Sequence, residues 1–431
     1  MRFCAFIRRL SIFLGVLSCI AHAQDFSVMQ ADKRIGESNT ALSFEQALRI
    51  AADTHPSIAQ RLSEQGASEY GATGARWQRW PGLSVSSSRG PLGSTLTELQ
   101  LEQPLWSGGR ITANINAAEA RTEAARNSVA EARKVILERT INAYAEAMRL
   151  QSRLLIADTA IADFEQLRDM IDRRVESGIS PKADAINVRA RLQQSQSERM
   201  QMSLQLQNTR TELELLLGRR FTALVVPPPL AKLSLNMDEA LDIVLDTAPE
   251  LARLNAEERV AEEAIAATRS SLSPSLALRY QRVFGGGTFY ATDQVFVGVT
   301  YQPGNGLSSF SAISEAESRR TGAVYAREAA RLDLINRVRS LWQQADSSRR
   351  ELSILNELVS STQQVYESCL RQFPVGRRTW LELLLARRDA TQAQYALADI
   401  RWSGFASQLK LELVTGQLAA RDYRVIEEPS P

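Results

Sequence analysis

Few residues able to do chemistry survive a reading of the N-terminus. Arg2, Arg8 and Arg9 precede an apolar run at 10–20, and "AHA" at 21–23 is a small-x-small cleavage site; together these are the parts of a secretory signal peptide. The apolar core is shorter than the ~20 residues of a spanning helix, which disfavours a signal anchor. Cys19 after "VLS" offers the alternative of a lipidated cysteine. Cleavage after Ala23 removes Cys4, Cys19 and His22, so Cys369 is the single thiol and His55 the single imidazole. One thiol closes no internal disulfide, and one Cys with one His builds no Cys/His zinc site. His55 lies in "DTHPS", a turn before a proline, and reads as a surface residue rather than a general base. No P-loop, zincin helix or nucleophile elbow is present, and no pair stands out among the 49 acidic residues. The chain reads as no enzyme, with no catalytic residue, metal or cofactor. Of the 51 basic residues three leave with the signal, and 48 then face 49 acidic ones. That balance argues against a nucleic-acid partner.

The remaining informative spacings belong to helix ends and turns. Gly178 and Gly376 fit C-terminal caps. Ser180 before Pro181 reads as an N-cap with proline at the first helical position, Asp184 follows within that first turn, and Thr379 with Glu382 makes a capping box. As capping alone, these residues need no further function.

The elements that carry them are written twice. "LSFEQALRIAADTHPSIAQ" (42–60) aligns with "LNMDEALDIVLDTAPELAR" (235–253), and "LELLLGR" (213–219) with "LELVTGQ" (411–417). The offset grows from 193 to 199 residues across the strand region and settles at 198, so insertions fall at turns. The chain divides into signal peptide (1–23), N-terminal extension (24–41), first repeat (42–218), proline-rich linker (219–234), second repeat (235–416) and C-terminal tail (417–431). Each repeat predicts a short helix, a second helix opening at Pro56 or Pro249, two strands (near 82–90 with 95–103, and 275–284 with 293–302), a long helix and a final helix.

Two patterns set the architecture. "QVFVGVTYQ" (294–302) places Val295, Val297, Val299 and Tyr301 on one face, and each strand has the nine or ten residues of a tilted membrane-spanning strand. A half-buried soluble hairpin shows the same alternation. The second pattern is a seven-residue seam through Ile115, Thr122, Val129, Ile136, Ala143, Leu150, Ala157, Phe164 and Ile171, the grammar of a supercoiled helix. Residues 110–177 contain no glycine or proline and would span about 100 Å at 1.5 Å per residue. The shorter helices on either side, stacked end to end, would flank that length. Four strands close no barrel, and open edges are forbidden in lipid. Strands entering a membrane would therefore share a barrel with other copies of the chain.

With these features the mature chain, from about 40 to 417, resembles the TolC-type outer-membrane efflux protein family. The resemblance is carried by "LSFEQALRIAADTHP", "QPLWSGGR", "SGISPKADAINVRARL" and "PVGRRTWLELLLARRDATQAQ". It implies a mainly α fold with a small β part: a long helical barrel continuing a transmembrane β-barrel shared by three chains, four strands from each. It also implies a homotrimer in the outer membrane with a large periplasmic part, an adaptor (membrane fusion) protein and an inner-membrane transporter. Pro104, Gly108 and Gly109, with Pro303, Gly304 and Gly306, would swing each strand into its helix. Gly178, Ser180, Asp184, Gly376, Thr379 and Glu382 would form tips facing the adaptor, and Phe373, Arg378 and Glu382 match positions of the periplasmic gate. Leu385 departs from the pattern where one branch has a second acidic residue, which puts a cation-binding ring in doubt. "YQPGNGLSS" and "VGRRTWLELL" look most like the branch serving ABC-driven type I secretion of large adhesins. A drug-efflux duct and, in another class, a soluble periplasmic coiled-coil scaffold are the alternatives.

Overall fold

A computed structural model describes residues 41–89, 95–229, 235–284, 292–302, 304, 306 and 308–420. The signal peptide, nearly all of the N-terminal extension, Pro303 and most of the tail lie outside the described residues. In chain order the elements are α1 (Phe44–Thr54), α2 (Pro56–Trp77), β1 (Gly82–Arg89), β2 (Thr95–Trp106), α3 (Arg110–Glu176) and α4 (Lys182–Leu217). The same order then recurs as α5 (Met237–Thr247), α6 (Pro249–Arg269), β3 (Ser275–Phe284), β4 (Thr292–Thr300), α7 (Ser308–Gln372) and α8 (Trp380–Val414), with a short α9 (Gln417–Ala420).

The 67-residue α3 is the spine, about 100 Å long at 1.5 Å per residue. All nine residues of its seven-residue seam are buried. Its one hydroxyl, on Thr122, donates within 3.1 Å to the Ala118 carbonyl and 3.2 Å to Ser68 on α2, so no polar group is stranded there. Near the strands α3 packs on α2 and α6; farther down it packs on α4 and α8, while α7 runs along α6 and then α8. The wall is four helices wide throughout: α2-α3-α6-α7 above and α4-α3-α8-α7 below. The short helices do meet end to end, since Thr54 Oγ1 donates to the Leu217 carbonyl at 3.4 Å.

At that junction Leu42 and Leu224 form a parallel bridge, and the buried Tyr144 hydroxyl sits 2.6 Å from the Val225 carbonyl and 3.2 Å from that of Leu42. Phe44 meets Tyr144 and Phe405 edge to face, so α1 is sealed onto α3 and α8. His55 acts as the N-cap of α2, its Nδ1 accepting from the Ser57 N–H at 3.2 Å. An accepting Nδ1 requires a neutral ring at that nitrogen, and burial, helped by Arg139, holds its pKa below the usual value.

The sheet is fully antiparallel in the order β1-β2-β3-β4, so β1 and β4 are both open edges. Two boundaries differ from expectation. β2 continues through Pro104 to Trp106 with a bulge, because β1 begins opposite Glu102 and leaves the missing proline N–H on an unpaired side. β4 ends at Thr300 rather than 302. Among the described residues no helix is long and apolar enough to cross a membrane.

Candidate functional site

The sheet has two chemically opposed faces. One cross-strand row is Leu83–Leu101–Tyr280–Val295, and the next, on the other face, is Ser84–Gln100–Gln281–Gln294. The first face is mainly apolar and bare, with Val295 68 % exposed and Leu83, Val85, Val297 and Val299 similarly open; Arg282 and Asp293, paired at 3.3 Å in the row Val85–Leu99–Arg282–Asp293, are its charged exception. The polar face is knitted: Arg279 pairs with Glu102 at 2.8 Å, Gln281 donates to Glu98 at 2.8 Å and Gln100 to Glu102 at 3.1 Å. Phe296 is the apolar exception among its central rows. In water such an apolar face beside two open edges would drive aggregation. In a bilayer it is the required outer face of a barrel whose inner face is wet. The ten residues of β3 reach about 33 Å along the strand, or about 25 Å of membrane at a 40° tilt.

Strand passes to helix on glycines. Gly108 and Gly109 have φ of 58° and 90°, and Gly304 and Gly306 have 84° and 59°, where a side chain would be strained. A Cβ on Gly108 would also stand 2.7 Å from that of Ser273, so the two repeats touch at the base of the sheet.

At the other end both helix pairs turn in the same way. Gly178, at φ 70°, donates to the Val175 carbonyl at 3.0 Å while Ile179 donates to Arg174 at 2.8 Å. Gly376, at φ 75°, donates to Phe373 at 3.0 Å while Arg377 donates to Gln372 at 3.1 Å. Each turn is a Schellman closure that satisfies the last carbonyls of its helix. The N-terminal ends differ. Thr379 caps α8 as expected: its hydroxyl accepts from the Glu382 N–H at 3.3 Å, and Glu382 Oε2 accepts the Thr379 N–H at 2.7 Å. Ser180 is not the cap of α4. Pro181 takes that place in extended conformation with no side-chain cap, and the Ser180 hydroxyl instead accepts from Arg174 Nε at 3.4 Å. Asp184 is left as the acidic residue of the first turn, complementing the dipole.

Of the expected gate residues, Arg378 and Glu382 pair at 3.0 Å on the surface, and the Thr379 amide, the Thr379 hydroxyl and then Arg378 hold the carboxyl below its usual range. Phe373 does not stand with them. It is 4 % exposed, packed 5.3 Å from the Trp380 ring and covered by the Arg174 guanidinium at 4.8 Å. Arg174 also donates to the Pro374 carbonyl at 3.5 Å, so it joins the two turns. Sequence reasoning missed Arg174, because a cation in a helix's last turn is ordinary. It also missed Arg387, which is 1 % exposed with its Nε 2.9 Å from Asp163 and its guanidinium over Tyr366 at 5.2 Å. Burial pushes the Asp163 carboxyl up against the opposing pull of Arg387. Just above the tip a groove of about 480 Å³ separates α4 from α8, with Phe164 at its floor and Asp184, Arg191, Leu381, Leu385 and Arg388 around it.

The description of the outer membrane efflux protein family matches residues 43–219 and again 240–417. The chain belongs to the outer membrane efflux protein family. It is similar to the alkaline protease secretion protein AprF of Pseudomonas aeruginosa, 21 % identical over 427 residues, covering 90 % of this chain and 88 % of that protein. It is also similar to the cobalt-zinc-cadmium resistance protein CzcC of Cupriavidus metallidurans, 23 % identical over 429 residues, covering 95 % of this chain and 100 % of that protein. Its fold matches the outer membrane protein VceC of Vibrio cholerae with a TM-score of 0.76 at 15 % identity, covering 86 % of this chain and 96 % of that one. The protein is an outer-membrane channel with a large periplasmic helical part.

Proposed function

We propose that this chain forms the exit duct of a type I secretion system, working as a homotrimer with a periplasmic adaptor and an ABC-type inner-membrane transporter. The observation that carries the duct is the sheet: apolar outside, polar inside, and continuous with a four-helix wall about 100 Å long. Its open edges are unlike one another, β1 with α2 and α4 on one side and β4 with α7 on the other. Unlike edges join head to tail and close as a ring; three copies supply twelve strands. The exposed apolar face disfavours a soluble scaffold, which would leave it in water.

Protein cargo is supported by the likeness to AprF, whose name is a protease secretion protein, and by the stretches "YQPGNGLSS" and "VGRRTWLELL". The likeness to CzcC keeps small-ion efflux as the second reading. At the tip, the groove between α4 and α8 suits an adaptor helix, with Leu381 and Leu385 supplying apolar contact and Asp184, Arg191 and Arg388 a polar rim. Arg378 and Glu382 hold the tip closed, and Phe373 serves the gate from beneath, as the anchor of its turn. Deleting the gene and comparing secreted proteins with metal and drug sensitivity separates the readings. Loss of a secreted protein with unchanged sensitivity supports secretion, whereas the reverse supports efflux. Unchanged ion leakage in Glu382→Ala trimers would refute the gate.

A further inference from the structure

The six tryptophans are not spread evenly. Trp380 and Trp402 are buried and Trp342 is half-buried, whereas Trp77, Trp80 and Trp106 are 65 %, 65 % and 46 % exposed, all at the base of the sheet. They form one neighbourhood. Gln103 Nε2 donates to the Arg79 carbonyl at 2.9 Å, tying the end of β2 to the turn between α2 and β1, and Asn114 on α3 donates to Gln78 at 3.3 Å. The Trp77 and Trp80 rings lie 6.4 Å apart. Two exposed cations lie on these segments, Arg79 in the turn and Arg110 one helical turn before Asn114, and among the described residues neither guanidinium has an acidic partner; the nearby Arg76 is occupied by Glu119 at 2.8 Å.

The second repeat supplies an internal control. At the matching turn it has Ser270, Leu272 and Ser273 where the first has Trp77, Arg79 and Trp80, and its sequence has Asn305 and Ser309 where the first has Trp106 and Arg110. That turn joins helix to strand without a tryptophan or a free arginine, and Ser270, Ser271, Leu272 and Ser273 are buried or half-buried. The strand-to-helix geometry therefore requires none of these side chains.

We propose that the base of the first repeat is a phospholipid headgroup site, with Trp77, Trp80 and Trp106 seated at the inner-leaflet boundary and Arg79 and Arg110 binding the headgroup phosphate. The site rests on the reading that the sheet spans the outer membrane, and it lies where the bare apolar face ends. Indole rings favour that boundary because one edge is polar and the body apolar. A guanidinium there meets the phosphate oxygens as a two-point donor. The cost of exposing three indoles to water disappears when lipid covers them.

The test uses the full-length trimer in vesicles of phospholipid brominated either close to the headgroup or near the chain end. The comparison variant is Trp77→Ser with Trp80→Ser, the residues the sister turn already uses. Quenching of tryptophan emission should be stronger with shallow bromine, and the variant should lose about two-thirds of it while remaining a trimer. Arg79→Leu should retain about fivefold less anionic phospholipid, read by native mass spectrometry, and inorganic phosphate should not displace the bound lipid. Absent or depth-independent quenching overturns the proposal. A wild type that is unquenched, with a variant that falls into monomers, places the indoles against a second copy instead. Displacement of the lipid by inorganic phosphate makes this a free-anion site and also overturns it. Failure of any arm in protein recovered from outer membranes leaves the duct reading intact, whereas recovery from the soluble fraction overturns both.

Discussion

Adjacent residues on β4 should answer opposite ways to the same charge. Val295 is on the bare apolar face in the row with Tyr280, and Tyr280 is the sixth of ten residues in β3, about 17 Å along the strand and near the middle of the bilayer. An arginine on the lipid side of a barrel at that depth costs about 2–4 kcal/mol, falling towards zero at the boundaries. Val295→Arg should therefore shift the folding equilibrium by roughly 30-fold to several-hundredfold per chain. Gln294 is one residue away in the row Ser84–Gln100–Gln281–Gln294 and faces the opposite side. Gln294→Arg adds its charge to a wet interior and should leave stability nearly unchanged while altering single-channel conductance. Urea titration of reconstituted trimers, with outer-membrane abundance as a second readout, measures both. Equal destabilisation by the two variants would mean that the faces are wrongly assigned or that the sheet does not meet lipid.

The tip offers three further tests. Phe373→Ala removes the ring between Trp380 and Arg174 and should cost about 3–5 kcal/mol locally; Cys369, buried four residues earlier and the only described thiol, should then react with maleimide much faster than in the wild type. Arg387→Met leaves the partly buried Asp163 unpaired, at about 3–5 kcal/mol before discounting for its exposure, so adding Asp163→Asn should recover much of the loss in a double-mutant cycle read by thermal melting. Because the folded Glu382 carboxyl titrates below its unfolded value, its contribution is fully present above about pH 4.3 and is lost as pH falls through the lower folded value. Protease cleavage at the α7–α8 turn should accordingly rise only in acid, and Glu382→Ala should flatten that dependence.

Much of this architecture is written locally. The seam from Ile115 to Ile171 recurs every seven residues, and a helix must bury whatever recurs at its own period, so α3 and its buried stripe are legible before any contact is known. The repeat of element order, the glycines at 178 and 376 and the Thr379–Glu382 box are equally local, because a cap or a turn is decided within a few residues. The strands mark the limit. Alternation of Val295, Val297 and Val299 suits a soluble hairpin and a membrane strand alike; pairing all four strands in register is what gathers the apolar residues on one bare face and Glu98, Gln100, Glu102, Arg279 and Gln281 on the other. Ser180 has the residue type of a cap, but Arg174, six residues earlier in the last turn of α3, holds its hydroxyl and Pro181 takes the cap position. Arg174 over Phe373 and Arg387 beside Asp163 join helices distant in sequence, so no spacing announces them. Periodicity, capping and turns depend on neighbours along the chain and can be read there. Which charge is buried, which ring is covered and which face is left for lipid depend on neighbours across space, and only packing brings those together.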